Sequence, residues 1–517
     1  MVPTAPTLLA LLQVAAAAIV PMASSEPYQG SSYRVQPVAQ SFNSDHGLPA
    51  FSLRLGNDTG SVCNSSTPGI SGYIDTEDSD ESHLFFWFFE SKHDPTSDPL
   101  ILWIGPGASS AGYGNLMELG PCRIAPEGGY TVENPFGWNK NASVLFVDQP
   151  VSVGFSAGKR LPHGLVEASQ MMDRFLRQFI TAFPQMADRD LYIAGESYGG
   201  SWVPALASTI LQTQGKTGND AAQRPSSSHT GLLAQRGVQG FESTPQSHWD
   251  SGLSNSLPVL KLKGILIGNG LVRLKVQNPG AFETACSGPD GLLNAEQCLE
   301  WAPWAMWCEL NMGVCETAGP LSPECKATHQ KCTALDDFVL GKLKRNPYNW
   351  QQHCDADDML GCFPELALID QLLNRSDVKK ALGVEESTPF TGFSMDVWDE
   401  WQRTGDVARS SHHYVNYLLE SGIRVLIYVG DKDFLATAAG TRLLVNEGLV
   451  WHGRPLFRFR ELVPWYHGTK VAGRWKAYGE LTYAEIFGSG HLTPFDLPAE
   501  TLSLVNGWIF GGNPPAQ

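Results

Sequence analysis

The sequence predicts an α/β protein whose central sheet is mostly parallel and carries helices on both faces. Short apolar runs of strand length alternate with helical patterns along the chain. Several of these runs are apolar throughout, as expected for strands covered on both faces. The 517 residues are 42% hydrophobic and include 24 Phe and 15 Trp, which excludes a wholly disordered chain and supplies a large core.

Buried strands are predicted for six segments: Leu84–Phe89, Leu100–Ile104, Val144–Val147, Leu191–Ala194, Gly264–Ile267 and Arg424–Val429. Between the third and fourth segments, apolar residues recur at helical spacing from Ala168 to Phe183, and Pro184 ends this helix. A second helix is predicted over Ser201–Leu211, shortly after the fourth strand.

Two segments interrupt this alternation within a single domain predicted over residues 26–517. Gln212–Leu257 is rich in Ser, Gln, Gly and Thr, which is typical of a solvated or disordered insertion, or of an intron retained in the predicted gene. Val272–Gln402 carries eight of the ten cysteines and several Trp. We therefore expect it to form a disulfide-stapled cap over the sheet.

The N-terminus is typical of a secretory signal peptide over residues 1–25. Leu8–Val20 is an apolar run of 13 residues, too short to cross a bilayer, and small residues follow it. Because no Lys or Arg precedes the run, a buried N-terminal helix stays an alternative. We expect a secreted protein, with a vacuole as the alternative destination. Export agrees with four glycan acceptor triplets, which begin at Asn57, Asn64, Asn141 and Asn374.

Charge and cysteine spacing disfavour two classes of partner. The 36 Lys and Arg against 53 Asp and Glu give a net charge of −17, which argues against nucleic acid binding. No two cysteines have the two-residue separation of a zinc knuckle, so disulfides are favoured over a metal site. No membrane partner is expected, and the sequence predicts nothing about the oligomeric state.

Gly195-Glu196-Ser197-Tyr198-Gly199 fits the G-x-S-x-G pattern of a nucleophile elbow. A predicted strand leads into it and a predicted helix follows, as such an elbow requires. We expect its glycines to let the turn approach the strand and the helix without Cβ clashes. The same turn would aim the Tyr198 N–H at a developing oxyanion, so Ser197 is the candidate nucleophile.

A catalytic serine needs a general base and an acid that orients this base. Asp431 and Asp433 follow the predicted strand Arg424–Val429, and His491 lies between small residues after a late strand. This order of serine, acid and histidine is typical of enzymes with a G-x-S-x-G elbow. A structural role as a helix N-cap is the alternative for either aspartate.

Further motifs lie along the chain on both sides of the elbow: Phe86-Trp87-Phe88-Phe89-Glu90-Ser91, Asp148-Gln149-Pro150 with Gly154-Phe155-Ser156, Ile267-Gly268-Asn269-Gly270-Leu271, Gly430-Asp431-Lys432-Asp433, and Gly490-His491 with Pro494-Phe495-Asp496. In these motifs and the elbow, the chain resembles the serine carboxypeptidases from about Val62 to the C-terminus. This resemblance implies an α/β-hydrolase fold and hydrolysis of the last peptide bond of peptides and proteins with a free C-terminal carboxylate. It implies no metal and no organic cofactor.

The resemblance assigns a role to each candidate residue. Ser197 would be the nucleophile, His491 the general base, and Asp433, the second acid of its motif, the orienting group. The N–H groups of Gly105 and Tyr198 would form the oxyanion hole.

The resemblance also implies that Glu118 and Glu196 bind the terminal carboxylate of the substrate. Two close carboxyls share a proton, so one of them titrates at high pH and donates to the substrate anion. We therefore expect activity at acidic pH that fades as the pair ionises. A solvated surface pair is the alternative. Among the cysteines, the implied disulfides are Cys63–Cys122, Cys286–Cys298, Cys308–Cys332, Cys315–Cys325 and Cys354–Cys362.

The sequence departs from the family pattern beside the nucleophile. Trp103-Ile104-Gly105-Pro106-Gly107 lacks an Asn and a Gly of the usual W-x-N-G-G-P-G, through a real deletion or an error in the predicted gene. Ala108 stands where many relatives have a cysteine, and Phe434-Leu435 replaces a usual Cys-Asn pair. Losing one donor to a charged group costs about 1.5–3 kcal/mol. An esterase or acyltransferase, or a catalytically impaired homologue, is therefore the alternative function.

Overall fold

The computed structural model describes residues 35–45, 47–67, 69–217, 257–286 and 291–511. The predicted signal peptide lies outside these ranges, and so does most of the predicted insertion.

The helix after the elbow is longer than predicted. It runs over Gly199–Thr217, so the insertion expected from Gln212 begins no earlier than residue 218. Gln214 Oε1 in its last turns accepts a hydrogen bond from Leu260 N at 2.8 Å. This tertiary hydrogen bond helps to hold the polar residues 212–217 in the helix. Hydrophobic periodicity could not predict their helical structure, because these residues are not apolar.

The described residues form sixteen strands, and twelve of them make one sheet. The order along this sheet is β1-β2-β3-β4-β8-β5-β9-β10-β13-β16-β15-β14, while β6-β7 and β11-β12 are separate hairpins. The strands are β1 Ser41–Phe42, β2 Phe51–Leu55, β3 Gly69–Thr76, β4 His83–Phe89, β5 Leu100–Ile104, β6 Cys122–Ile124, β7 Thr131–Glu133, β8 Ser143–Val147, β9 Asp190–Glu196, β10 Lys261–Gly268, β11 Arg345–Asn346, β12 Asn349–His353, β13 Arg424–Gly430, β14 Val463–His467, β15 Lys470–Tyr478 and β16 Leu481–Ile486.

The six strands at the centre of the sheet, β8-β5-β9-β10-β13-β16, are parallel. The strands at both sides pair antiparallel. All six predicted strands are present, and all but β4 belong to the parallel centre. The sheet is therefore parallel where its strands are buried on both faces and antiparallel in its flanking strands.

Both faces of the central strands are covered, which explains their continuous apolar sequences. In β5, Leu102 and Ile104 belong to one hydrophobic core, and Ile101 and Trp103 belong to the other. The helix Leu165–Ala182, predicted from its apolar stripe, packs in the first of these cores.

The helices lie mainly around the sheet and in the cap. The α-helices are Thr59–Val62, Ala111–Tyr113, Leu165–Ala182, Gly199–Thr217, Leu274–Gln277, Pro279–Cys286, Ala295–Asn311, Val314–Thr317, Pro323–Cys332, Ala334–Gly341, Pro364–Leu373, Ser376–Leu382, Met395–Thr404, His412–Glu420, Ala438–Leu443, Arg454–Arg458, Thr493–Asp496 and Pro498–Gly511. The π-helical segments are Gly114–Leu119 and Leu444–Gly448, and the 3-10 turns are Trp138–Lys140, Pro184–Met186, Leu360–Cys362 and Asp406–Ala408.

The predicted cap, Val272–Gln402, lies between β10 and β13, and the regular structure of its described residues is helical apart from the hairpin β11-β12. Four disulfides staple it and a fifth joins the start of β6 to the end of a short helix. The structure pairs the cysteines as the resemblance implies: Cys63–Cys122, Cys286–Cys298, Cys308–Cys332, Cys315–Cys325 and Cys354–Cys362.

Candidate active site

The carboxyl ends of the parallel strands bring the predicted catalytic residues to one edge of the sheet. Gly105 follows β5, Ser197 follows β9, Asp433 follows β13, and His491 follows β16. A cavity of about 390 Å³ opens at this edge between the sheet and the cap. Five predicted site residues line it: Glu118, Glu196, Ser197, Tyr198 and His491.

Ser197 lies at the tight turn between β9 and the helix Gly199–Thr217. Its backbone φ is +56°, in the left-handed region that costs a non-glycine residue about 1–3 kcal/mol. Ser197 N donates to Gly268 O at 3.1 Å, which ties the turn to the end of β10. This geometry is that of a nucleophile elbow, and the serine lines the cavity.

The glycines of the elbow differ in whether their positions leave room for a Cβ atom. A Cβ on Gly195 would lie 2.9 Å from Val203 Cγ2, and one on Gly200 would lie 2.6 Å from Leu271 O. A Cβ on Gly199 would meet only Val203 Cγ2, at an ordinary 4.0 Å. The predicted relief of clashes therefore applies to Gly195 but not to Gly199. The close approach on the helix side is at Gly200, which packs against the chain after β10.

His491 and Asp433 form a buried hydrogen-bonded pair. His491 Nδ1 lies 2.8 Å from Asp433 Oδ2, and the two side chains are 1% and 0% exposed. Asp433 also accepts hydrogen bonds from Asn269 Nδ2 at 2.7 Å and from Leu435 N at 2.8 Å. His491 Nε2 has no hydrogen-bond partner among the described residues, while the imidazole lines the cavity.

Asn269 is a site residue to which the sequence analysis assigned no role. It is fully buried, has a φ of +44°, and also donates to Gly490 O at 3.3 Å. It thus joins Asp433 to the loop that carries the histidine. The available signal was its position, because a polar residue directly follows the apolar strand β10 at the same edge of the sheet.

Asp431 contacts a different loop. Its Oδ1 accepts a hydrogen bond from Gly488 N at 2.6 Å, and Lys432 Nζ lies 3.4 Å from its Oδ2. Asp431 therefore anchors the chain between β16 and the histidine. Of the two aspartates that the sequence offered, the geometry favours Asp433 as the acid that orients the base.

Glu118 and Glu196 form a buried carboxyl pair. They are 3% and 1% exposed, and their side chains hydrogen bond to each other. Burial raises the pKa of Glu118 to about 7, and burial together with the Glu118 carboxyl raises the pKa of Glu196 well above its usual range. The pair therefore shares a proton up to near-neutral pH. This burial rules out the alternative of a solvated surface pair.

Hydrogen bonds of Ser110, before Glu118 in the chain, and of Arg123, after it, hold the segment that carries Glu118. It lies in the π-helical segment Gly114–Leu119, a geometry that is frequent at functional sites. This segment follows Ser110, whose hydroxyl donates to the buried carboxylate of Asp148, a residue of one of the quoted motifs. Arg123 Nη2 donates to the Glu118 carbonyl oxygen at 2.5 Å. The Asp148 motif thus acts on the site by fixing the start of the segment that carries Glu118.

The shortened loop after β5 forms one wall of the cavity. Its lining residues run from Pro106 to Ser109, and Gly105 is not among them. A Cβ on Gly105 would lie 2.4 Å from Ser109 O, because the loop folds back tightly on this residue. Gly107, at φ +60°, lies beside the elbow, where its Cβ would be 3.6 Å from Tyr198 Cβ. The loop therefore presents Gly107, rather than Gly105, on the cavity wall.

Ala108, which stands where many relatives have a cysteine, lies against residues 392–394 of the cap. Ser394 N donates to Ala108 O at 2.9 Å, and Ser110 N donates to Gly392 O at 2.8 Å. Two backbone hydrogen bonds therefore join these segments without a disulfide.

Within the described ranges, no three His, Cys, Asp or Glu side chains are grouped so that they could hold a metal ion. No helix in this part of the chain is long and apolar enough to cross a membrane.

Comparison with known proteins points to one family. The family model of the serine carboxypeptidases, peptidase S10, matches residues 62–225 and 250–511. Carboxypeptidase Y of Candida albicans is 32% identical over 471 residues, which are 90% of this chain and 78% of that protein. Carboxypeptidase Y of Saccharomyces cerevisiae is 33% identical over 453 residues, covering 86% and 75% of the two chains. The Schizosaccharomyces pombe carboxypeptidase Y is 34% identical over 445 residues, 85% of this chain, which span 41% of that longer protein.

A solved structure gives the same fold. Kex1(delta)p, a prohormone-processing carboxypeptidase from Saccharomyces cerevisiae, superposes with a TM-score of 0.67 at 20% identity, covering 91% of this chain and 92% of that one. The predicted α/β-hydrolase fold is confirmed.

Proposed function

Because the chain belongs to the serine carboxypeptidase family, we propose that it removes the C-terminal residue of peptides and proteins at acidic pH. One observation carries this proposal: a single cavity contains Ser197 at a strained elbow, His491 paired with Asp433, and the buried pair of Glu118 and Glu196. These features supply a nucleophile, an oriented base and a group able to bind a terminal carboxylate.

In the proposed reaction, Ser197 Oγ attacks the carbonyl carbon of the last peptide bond while His491 Nε2 takes the hydroxyl proton. Asp433 keeps the imidazole oriented through Nδ1 and stabilises its positive charge. The N–H of Tyr198 donates to the oxyanion. The second donor is the N–H that the resemblance assigns to Gly105, a residue that lies behind the cavity wall formed by residues 106–109. The imidazolium then protonates the leaving amine, and a water activated by the same histidine releases the acyl group.

The pair of Glu118 and Glu196 receives the terminal carboxylate in this proposal. Among the described residues that line the cavity there is no Lys or Arg, so a proton rather than a fixed cation must offset the substrate's charge. The pair donates its shared proton toward the substrate anion while the pH is below about 7. Above this pH, ionisation of Glu118 leaves a negative charge beside the substrate carboxylate, and ionisation of both carboxyls would repel it further, which is the physical reason for an acidic optimum.

An esterase and a catalytically impaired homologue are the alternative functions because of the shortened loop. Its missing Asn and Gly would remove two donors to the substrate carboxylate, which favours weaker selectivity for free C-termini and leaves room for ester substrates. Against an impaired homologue, the cavity is open and Ser197 is half-buried at its wall, beside an intact pair of histidine and acid.

Release of the free C-terminal amino acid from an N-blocked dipeptide at mildly acidic pH tests the proposal. We expect release by the wild-type protein and a loss of at least about 1,000-fold in Ser197→Ala. Hydrolysis of the matching ester without the peptide would contradict it in favour of an esterase. Well-folded protein whose Ser197 does not react with a serine-directed phosphonate would instead identify an impaired homologue.

A further inference from the structure

The catalytic cavity is acidic and holds one carboxyl group that the proposed reaction does not use. Among the described residues that line it, the carboxyl groups are Glu118, Glu196 and Asp336, the histidines are His329 and His491, and no Lys or Arg is present. The proposed function uses the two glutamates and one histidine. Asp336 has no role in it.

Asp336 comes from the cap and lines the same cavity as Ser197 and His491. It lies in the first turn of the helix Ala334–Gly341 and is half-buried. Its carboxylate makes no hydrogen bond or ion pair with another side chain in the part of the chain that the structure describes. Burial and the nearby carboxylates of Asp337 and Asp433 raise its pKa well above the usual range. A negative charge here is costly unless a cation enters the cavity.

The wall around this carboxyl suits a long side chain with a charged end. Cys332 and Thr333 from the preceding turn line the cavity, as do Leu435 beside the catalytic acid and Leu274 from the start of the cap. Lys and Arg place an aliphatic stem along apolar surface and keep their charge at the tip. A basic side chain therefore matches both the apolar wall and the unpaired carboxyl.

We propose that Asp336 forms a subsite that binds the ammonium or guanidinium group of a Lys or Arg in the last or the penultimate residue of the substrate. This proposal rests on the proposed carboxypeptidase function and specifies its substrate class. The charge-assisted hydrogen bond adds binding energy that an apolar side chain of equal length does not receive.

Four blocked dipeptides test the subsite: N-acetyl-Phe-Lys against N-acetyl-Phe-norleucine, and N-acetyl-Lys-Phe against N-acetyl-norleucine-Phe. Norleucine keeps the aliphatic stem and lacks the ammonium group. We expect wild-type kcat/KM to favour the Lys member of one pair by roughly 10- to 100-fold, and the responding pair identifies the position. Asp336→Asn should bring this ratio close to one, and Asp336→Lys should instead favour glutamate peptides.

Asp337→Asn is the matched control, because Asp337 is an exposed carboxylate in the same helical turn. It should keep the wild-type ratio. Calorimetric titration of Ser197→Ala with the same peptides separates binding from turnover. If the norleucine peptides bind and neither Lys peptide is preferred, or if Asp336→Asn keeps the wild-type ratio, the subsite is refuted and the carboxypeptidase function stands. If none of the four peptides binds, both proposals fail.

Discussion

Asp431 and Asp433 lie two residues apart after β13, yet their carboxylates contact different loops. Asp433 meets the imidazole of His491 and the amide of Asn269, whereas Asp431 accepts from Gly488 N. The residue type alone therefore does not decide which of them can orient a base. The direction of each side chain at the strand end decides it, and a buried amide then keeps the chosen carboxylate in place.

The substitution Glu118→Gln tests the shared proton. In the wild-type enzyme, KM should rise as the pH increases through about 7, because ionisation of Glu118 places a negative charge beside the substrate carboxylate. The variant has one ionisable carboxyl left and cannot reach the doubly charged state. We therefore expect a much smaller rise in KM, with kcat changing less than KM. Steady-state kinetics across this pH range measures both constants.

Glu127→Gln is a suitable control for this experiment, since Glu127 is exposed and distant in sequence from the elbow. It should keep the wild-type pH profile. An equally steep rise in KM in Glu118→Gln and in the wild-type enzyme would contradict the role of the pair.

Among the helices and strands, the sequence predicted those whose hydrophobic pattern is determined by burial in the core. The six apolar strands and the helix with one apolar stripe follow from hydrophobic patterns, and the elbow follows from its motif between a strand and a helix. The side strands β14 and β15 are half-exposed, so their pattern is weak. The end of the helix at Thr217 and the role of Asn269 depend on tertiary hydrogen bonds. Asp336 reaches the cavity only through the packing of the cap.

The cap disulfide between Cys308 and Cys332 links stability to substrate binding. It joins the helices Ala295–Asn311 and Pro323–Cys332 across a separation of 24 residues. Replacing both cysteines by Ala should lower the free energy of unfolding by about 3–4 kcal/mol. Because Cys332 lines the cavity, KM should rise as well. Thermal unfolding and steady-state kinetics measure the two effects.

The bridge between Cys315 and Cys325 provides the comparison, because neither residue is among those that line the cavity. Replacing this pair by Ala should also reduce stability but leave KM unchanged. Equal KM values in the two double variants would show that the cap does not shape the binding site through Cys332.

At the scale of the whole molecule, we propose export through the secretory pathway, which predicts glycans on the surface. Asn57, Asn64 and Asn374 are all exposed, but within the described part of the chain only the Asn374 amide among these three is engaged in hydrogen bonds to the backbone of another segment. The amide of Asn374 bonds to both backbone groups of Phe390, and Asn141 is half-buried. We expect Asn57→Gln and Asn64→Gln each to lower the mass of the secreted protein by one glycan, and Asn374→Gln to leave it unchanged. Mass spectrometry before and after deglycosylation measures occupancy, and glycans confined to Asn374 would contradict this reading of the surface.

The molecule as a whole places one cavity between the carboxyl edge of a parallel sheet and a disulfide-stapled cap. The sheet edge carries the proposed nucleophile, base and orienting acid, and residues of the cap line the same cavity. We propose that the buried carboxyl pair still selects free C-termini although the loop after β5 is shorter than in the family pattern.

The ratio of kcat/KM for an N-blocked dipeptide to kcat/KM for its C-terminal amide measures this selection, with Ser197→Ala as the background. We expect the free acid to be preferred by at least about 10-fold at mildly acidic pH. This preference should fall as the pH rises through about 7, where Glu118 loses its proton. Equal hydrolysis of acid and amide at acidic pH would contradict the claim that Glu118 and Glu196 bind the terminal carboxylate.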